Sequence, residues 1–221
     1  MLSRVLEPEV MDTEAEARDY DDMDHRAVND LFVSDFLKIW DGCNPVLDIG
    51  TGTAQIPIAL CKASVQVRVV GVDLADQMLR VGRRNVRRAA LDERITLELQ
   101  DAKHLPYDRG SFPAVISNSI IHHIPHPLAV VAEMVRVLAT DGTLLVRDLL
   151  RPPDMESLQR LGQTYAGDAN AHQQQLFADS LNAALTLDEV RALVAEAGMD
   201  ASAVEKTSDR HWTWTIRPGK R

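Results

Sequence analysis

The sequence predicts an α/β fold, a doubly wound and mostly parallel sheet with helices on both faces. Three observations predict it. Short apolar runs at 46–49, 67–72, 95–99, 114–117 and 143–146 alternate with helix-period segments, the signature of successive β-α-β units. These runs are almost continuously apolar, as strands covered on both faces must be. The chain of 221 residues is 45% hydrophobic and 26% charged, a balance that rules out a disordered tail, a collagen-like repeat and a disulfide scaffold.

The elements follow in order. Between Glu7 and Asp24 nine acids (Glu7, Glu9, Asp12, Glu14, Glu16, Asp19, Asp21, Asp22 and Asp24) stand against one Arg18. Such a run reads as a solvated helix face or as a mobile lid. Val28, Leu31, Phe32, Phe36, Leu37, Ile39 and Trp40 then recur at helical spacing, and Asp41-Gly42 and Asn44-Pro45 end that helix. Helices are expected over 53–63 and over 75–90, the latter with Met78, Leu79, Val86 and Ala90 on its apolar side. A further helix over 128–138 is expected to stop at Asp141-Gly142. Past Pro152-Pro153 the strand–helix rhythm ends, and polar helices are expected near 154–166 and 170–184. Thr186 and Glu189 form an N-cap box for a helix that Gly198 ends. Two closing runs, 201–207 and 210–217, are split by Ser208-Asp209 and read as an antiparallel pair. Trp212, Trp214 and Ile216 share one face of the second run.

Charge narrows the partners. Lys and Arg number 24 against 33 Asp and Glu, a formal charge of −9, and an acidic chain repels phosphate backbones unless it gathers a basic face. Arg80, Arg83, Arg84, Arg87 and Arg88 form one basic stripe, which reads as an ordinary solvent-facing helix face. Nucleic acid is therefore not expected as a partner. Cys43 and Cys61 match no paired ligand spacing, and no metal site is expected. Free thiols suit a reducing compartment, so the cytoplasm is the expected location. No stretch approaches the roughly 18–20 apolar residues of a membrane helix, and the first residues lack the apolar run of a secretory signal.

In an open doubly wound sheet a ligand lies outside the carboxyl ends of the strands. The first strand runs into Asp48-Ile49-Gly50-Thr51-Gly52, where glycines let the backbone turn tightly and approach a ligand at the following helix N-terminus. The second ends at Asp73, 21 residues past Gly52, where a carboxylate can accept both hydrogen bonds of a ribose diol. The third leads to Asp101-Ala102 and the fourth to Asn118-Ser119. Such residues at four consecutive strand ends point to a nucleoside-like cofactor. A dinucleotide would want Gly-x-Gly-x-x-Gly, but Gln55 holds the third glycine position, and no phosphate-loop lysine follows.

Taken in order, Val46 to Ala54, Gly71-Val72-Asp73, Gln100-Asp101-Ala102 and Ser117 to His123 resemble the motifs of class I S-adenosylmethionine-dependent methyltransferases of the small-molecule type. The resemblance covers about 45–150. It implies a Rossmann-like fold, with a seven-stranded, mostly parallel sheet, a C-terminal antiparallel hairpin and an N-terminal helical cap. It also implies S-adenosyl-L-methionine as cofactor and methyl transfer to a small-molecule acceptor by direct in-line displacement. Asp48, Gly50 and Gly52 would then border the methionine part, with Thr51 and Gln55 in the same loop. Asp73 would hold the ribose hydroxyls, and Leu74 and Met78 would pack near the adenine. Asp101 would accept from the adenine amino group, Ala102 would donate its backbone N–H, and Asn118 and Ser119 would lie below the sulfonium. Ala54 stands where the family often has a third glycine.

The acceptor side is read less directly. A general base is needed only where the nucleophile arrives protonated, and His122 and His123 are the candidates. Arg147 and Asp148 are expected either to face the pocket or to form a buried salt bridge. Tyr20 and Met23 are candidates for a lid over the sulfonium, with His25 facing the acceptor, and Tyr165 is a candidate acceptor contact. In this division 1–221 is one domain, with a cap over 1–44, a cofactor-binding half over 45–150 and acceptor-shaping helices plus hairpin over 151–221. Two other readings stay open: a methyltransferase acting on a macromolecule, and a non-catalytic S-adenosylmethionine-binding regulatory protein. The acceptor and the oligomeric state are not legible.

Overall fold

In the computed structural model, which describes residues 2–7 and 12–219, the strands are β1 (Val46–Ile49), β2 (Val69–Asp73), β3 (Ile95–Leu99), β4 (Phe112–Asn118), β5 (Leu138–Leu149), β6 (Val204–Lys206) and β7 (His211–Ile216). They form one sheet in the order β3-β2-β1-β4-β5-β7-β6. Strands β1 to β5 are parallel, and β7 is antiparallel to both β5 and β6. The chain winds outward in two directions from β1 and β4, and the crevice at that switch point is where such sheets take ligands.

The helices are α1 (Glu14–Asp22), α2 (Arg26–Leu37), α3 (Gln55–Ala63), α4 (Asp76–Arg88), α5 (Leu128–Val137), α6 (Met155–Ala166), α7 (Ala171–Ala183) and α8 (Leu187–Glu196). Side-chain alternation divides the strands between two cores. Leu47, Ile49, Val115 and Val146 enter one, with Val130 and Met134 from α5, Val190 and Val194 from α8, and Trp212 and Trp214. Val46, Ala114, Ile116 and Leu145 enter the other, with Phe32 and Phe36 from α2 and Leu60 from α3. The Thr186–Glu189 box caps α8 as expected, and matching boxes start α1 (Thr13, Glu16) and α7 (Asn170, Gln173). No helix among the described residues is long and apolar enough to cross a membrane.

Two boundary expectations fail. Asp141-Gly142 does not interrupt the chain: β5 begins at Leu138, directly after α5, and runs through it. A Cβ on Gly142 would lie 2.7 Å from Leu138 Cδ1 and 2.9 Å from the Pro113 carbonyl oxygen, so the glycine answers a packing constraint. The first closing run shrinks to the three residues of β6, because Ala201–Ala203 forms a 3-10 turn that the Asp200 side chain caps.

The acidic N-terminal stretch yields a helix, α1, that lies on α4. Its Ala17 is buried with Ala75, Met78 and Val81, and Tyr20 packs against them. Residues 2–7 are pinned beside α7 and the 3-10 turn at Ile121–His123. Val5 N–H donates to the Asn182 carbonyl, and the Arg4 guanidinium donates to the carbonyls of Ala183, His122 and Ile124.

Candidate functional site

A cleft opens at the carboxyl ends of β1 to β4. Gly50 and Gly52 line it from the first turn, and Asp73, Leu74 and Met78 from the second strand end and α4. Asp101 and Ala102 follow β3, Asn118 and Ser119 follow β4, and Tyr20 and His123 complete the wall.

The first turn is built for close approach. Gly50 and Thr51 both donate to the Val72 carbonyl, and Gly50 and Gly52 take φ of 78° and 52°. Ala54, at the expected third glycine, takes φ 64°, a conformation costing a non-glycine residue roughly 1–2 kcal/mol. Asp73 closes the turn, its Oδ2 accepting from Gly52 N–H at 2.8 Å and its Oδ1 from Ala75 N–H at 2.9 Å. Burial raises the Asp73 pKa against these N–H donors, so further donors from a diol would relieve a desolvated carboxylate. Leu74, 41% exposed, and buried Met78 supply an apolar wall beside it. Asp101 accepts from Lys103 N–H at 2.9 Å, and the Oδ1 of Asn118 is buried without a partner. Ser119 takes φ 60° and donates its N–H to the Arg147 carbonyl.

The two histidines part company. His123 lines the cleft, while His122 is buried behind it with Nδ1 2.6 Å from Asp148 Oδ1. Asp148 also accepts from Ile121 N–H at 2.5 Å. Burial opposes a charge on His122, but the charge and hydrogen bond of Asp148, then Glu7, outweigh it and raise the pKa. His123 moves the other way, lowered by burial and by His122. Both nitrogens of His122 face carboxylates, so a base role for His122 gives way to one of positioning the turn.

Several other expected residues lie outside the cleft wall. Arg147 points away from it: its guanidinium reaches Asp35 of α2 at 2.8 Å and Thr213 at 3.0 Å and stacks on Phe32. It realises the salt-bridge alternative, while Asp148, one residue on, takes the opposite face. Tyr165 is exposed on α6, bonded to Asp209 and covered by Arg210. His25 stacks on Tyr20 with ring centroids 5.0 Å apart, and Met23 forms the C-cap of α1. Gln55 spans Asn29 and Asp21, tying α3 to the cap, and Thr51 is buried beneath the turn.

Asp48 is buried in β1 rather than exposed in the cleft, and its Oδ2 has no hydrogen-bond partner. Burial pushes its pKa up to about 7; the Thr51 hydroxyl opposes the rise and the Asp73 charge adds to it. The folded chain then holds a proton there that the unfolded chain releases above about pH 4, so stability falls as pH rises from about 4 to about 7. Asp48→Asn is expected to exceed the parent in stability at about pH 8 by on the order of 1–3 kcal/mol, with the gap closing toward pH 4. Urea midpoints across this range check it, and parallel pH curves for the two proteins would refute it.

Sequence reasoning missed Glu7 beside the histidines and Ile120 against the glycine turn. Both contacts join segments remote in the chain, and no local pattern announces them.

A methyltransferase-domain family model matches residues 46–142. The chain is 29% identical to 27-O-demethylrifamycin SV methyltransferase of Amycolatopsis mediterranei, over 74% of this chain and 56% of that protein. It is 37% identical to demethylmenaquinone methyltransferase of Porphyromonas gingivalis, over 48% of this chain and 44% of that protein. Over residues 46–142 the chain is thus similar to the methyltransferase-domain family. It spans about half the length of these curated relatives. The chain shares its fold with an S-adenosylmethionine-dependent methyltransferase of Aquifex aeolicus at a TM-score of 0.65, with 16% identity over 92% of this chain and 97% of that one. S-adenosylmethionine is the cofactor that the sequence motifs imply, and the residues present fit that group. The cleft offers two glycines in left-handed backbone, a diol-ready carboxylate at Asp73 and an apolar wall beside it. The orphaned Asn118 oxygen suits a ligand rich in donors.

Proposed function

We propose that this chain is a methyltransferase that transfers the methyl group of S-adenosylmethionine, by direct in-line displacement, to a small-molecule acceptor entering beside His123, Asn118 and Ser119. The observation that supports this most is the convergence of residues from four successive strand ends on one cleft. S-adenosylmethionine supplies a methyl carbon that its sulfonium has already made electrophilic. Asp73 would hold the ribose hydroxyls, Leu74 and Met78 would pack on the adenine, and Asp101 with the Ala102 N–H would read its edge. The glycine turn would seat the methionine end. Alignment is then the main task, and orientation can remove roughly 7–11 kcal/mol of a barrier. His123 borders the acceptor, its pKa lowered by burial and by His122. Tyr20 packs over Gly52 and shields the turn.

A small acceptor is favoured over a polymer by the net charge of −9, which repels nucleic acid, and by relatives named for rifamycin and menaquinone precursors. Residues 1–44 act as the cap, 45–150 as the cofactor half and 151–221 as the acceptor-shaping part. Incubating the protein with methyl-labelled cofactor and a cell extract, then separating small molecules from polymers, tests this. Label is expected in the small-molecule filtrate. Label in protein or nucleic acid would favour a macromolecular acceptor, and cofactor binding with no label transferred would favour a regulatory protein; either would overturn the proposal.

A further inference from the structure

We propose that Glu7, His122 and His123 form a site for a divalent first-row transition cation, zinc first among those to test, in the wall of the cleft. Glu7 Oε1 lies 3.0 Å from His123 Nδ1 and 3.5 Å from His122 Nε2, and the three ligand atoms fall within 4.8 Å of one another. Two donors each about 2.0–2.2 Å from a shared ion, at tetrahedral or octahedral angles, lie roughly 2.8–3.6 Å apart. Both measured separations fall inside that interval.

Hydrogen bonding accounts for the arrangement less well. His123 Nδ1 is buried and makes no hydrogen bond although Glu7 Oε1 is only 3.0 Å away. An ion held by both atoms would place the oxygen off the axis of the ring nitrogen in just this way. His122 is prepared from behind. Asp148, 2.6 Å from Nδ1, orients the ring so that Nε2 faces the Glu7 carboxylate at 3.5 Å, where a cation would take the place of a proton. A carboxylate behind a ligating histidine is the usual support of such sites. Glu7 is delivered by the pinned segment, through Arg4 on four carbonyls and Val5 on Asn182. Two imidazoles and one carboxylate leave a coordination position for water. The site stands apart from the methyl-transfer reading, because metal uptake is measured without cofactor or acceptor.

Equilibrium dialysis of the whole chain against zinc, followed by elemental analysis, is expected to find one cation per chain. Glu7→Gln and His123→Ala are expected to weaken uptake at least about tenfold, whereas His172→Ala, on the exposed side of α7, is expected to bind as the parent does. Cobalt(II) in place of zinc is expected to give absorption bands distinct from those of the aqueous ion, lost in Glu7→Gln. Circular dichroism of each variant separates lost ligation from lost fold, and Glu7→Gln, nearly isosteric, keeps the test alive where His123→Ala unfolds. Equal uptake by parent and Glu7→Gln, or no uptake by either, overturns the proposal.

Discussion

Asp73→Asn is expected to weaken S-adenosylmethionine binding by roughly 100- to 1000-fold, the loss of two charge-assisted hydrogen bonds to the ribose. Each carboxylate oxygen already accepts one backbone N–H, from Ala75 and from Gly52, and each retains a lone pair for a hydroxyl. The amide keeps one acceptor oxygen but sets an NH2 group where the other oxygen stood, so the N–H of Gly52 or of Ala75 meets a donor and one ribose hydroxyl loses its acceptor. The fold should survive. Burial raises the Asp73 pKa, so the native chain gains little from this charge, and the change should cost about 1 kcal/mol of stability. Calorimetric titration with cofactor, beside urea unfolding of both proteins, separates the two effects. An affinity within about threefold of the parent would remove Asp73 from the ribose site and with it the assignment of the cleft.

The same strand ends show why so much of the cleft was legible. Each is a local event: an apolar run sets a buried strand, the glycines or carboxylate after it set the turn, and parallel winding brings all the turns to one edge. Asp73, Asp101 and Asn118 could therefore be placed from sequence without any long-range contact. Arg147 and Asp148 could not, because adjacent strand residues face opposite sides and the register that decides which side is which lies in the pairing of Asn118 with Arg147 and of Arg147 with Thr213. Tyr165 could not be placed either. Leu158 and Leu161 set the inward face of α6, and the Tyr165 ring meets Asp209 and Arg210 at the surface. Glu7 was read as one acid in a solvated run, although its carboxylate is turned inward by Arg4 and Val5, whose partners lie beyond residue 120.

Gly50→Ala is expected to destabilise the protein by roughly 3 kcal/mol or more, combining left-handed backbone strain with overpacking. The residue has φ 78°, and a Cβ there would sit 2.0 Å from Ile120 Cγ2 and 3.0 Å from Ile120 Cβ. The second of these atoms is anchored to the backbone, so a rotamer change alone cannot clear it. Relief must come from moving the turn that carries Ile120, and that turn leads directly into Ile121, His122 and His123. Substitution at the glycine loop should thus disturb the histidine side of the cleft as well as the cofactor side. A double-mutant cycle isolates the contact. Ile120→Ala removes Cγ2 and leaves the φ strain, so the double variant should be more stable than the sum of the single losses by roughly 1–3 kcal/mol. Urea unfolding of the four proteins measures that coupling. Strict additivity would mean that the glycine is required for its backbone conformation alone, and that the two sides of the cleft are not mechanically joined at Ile120.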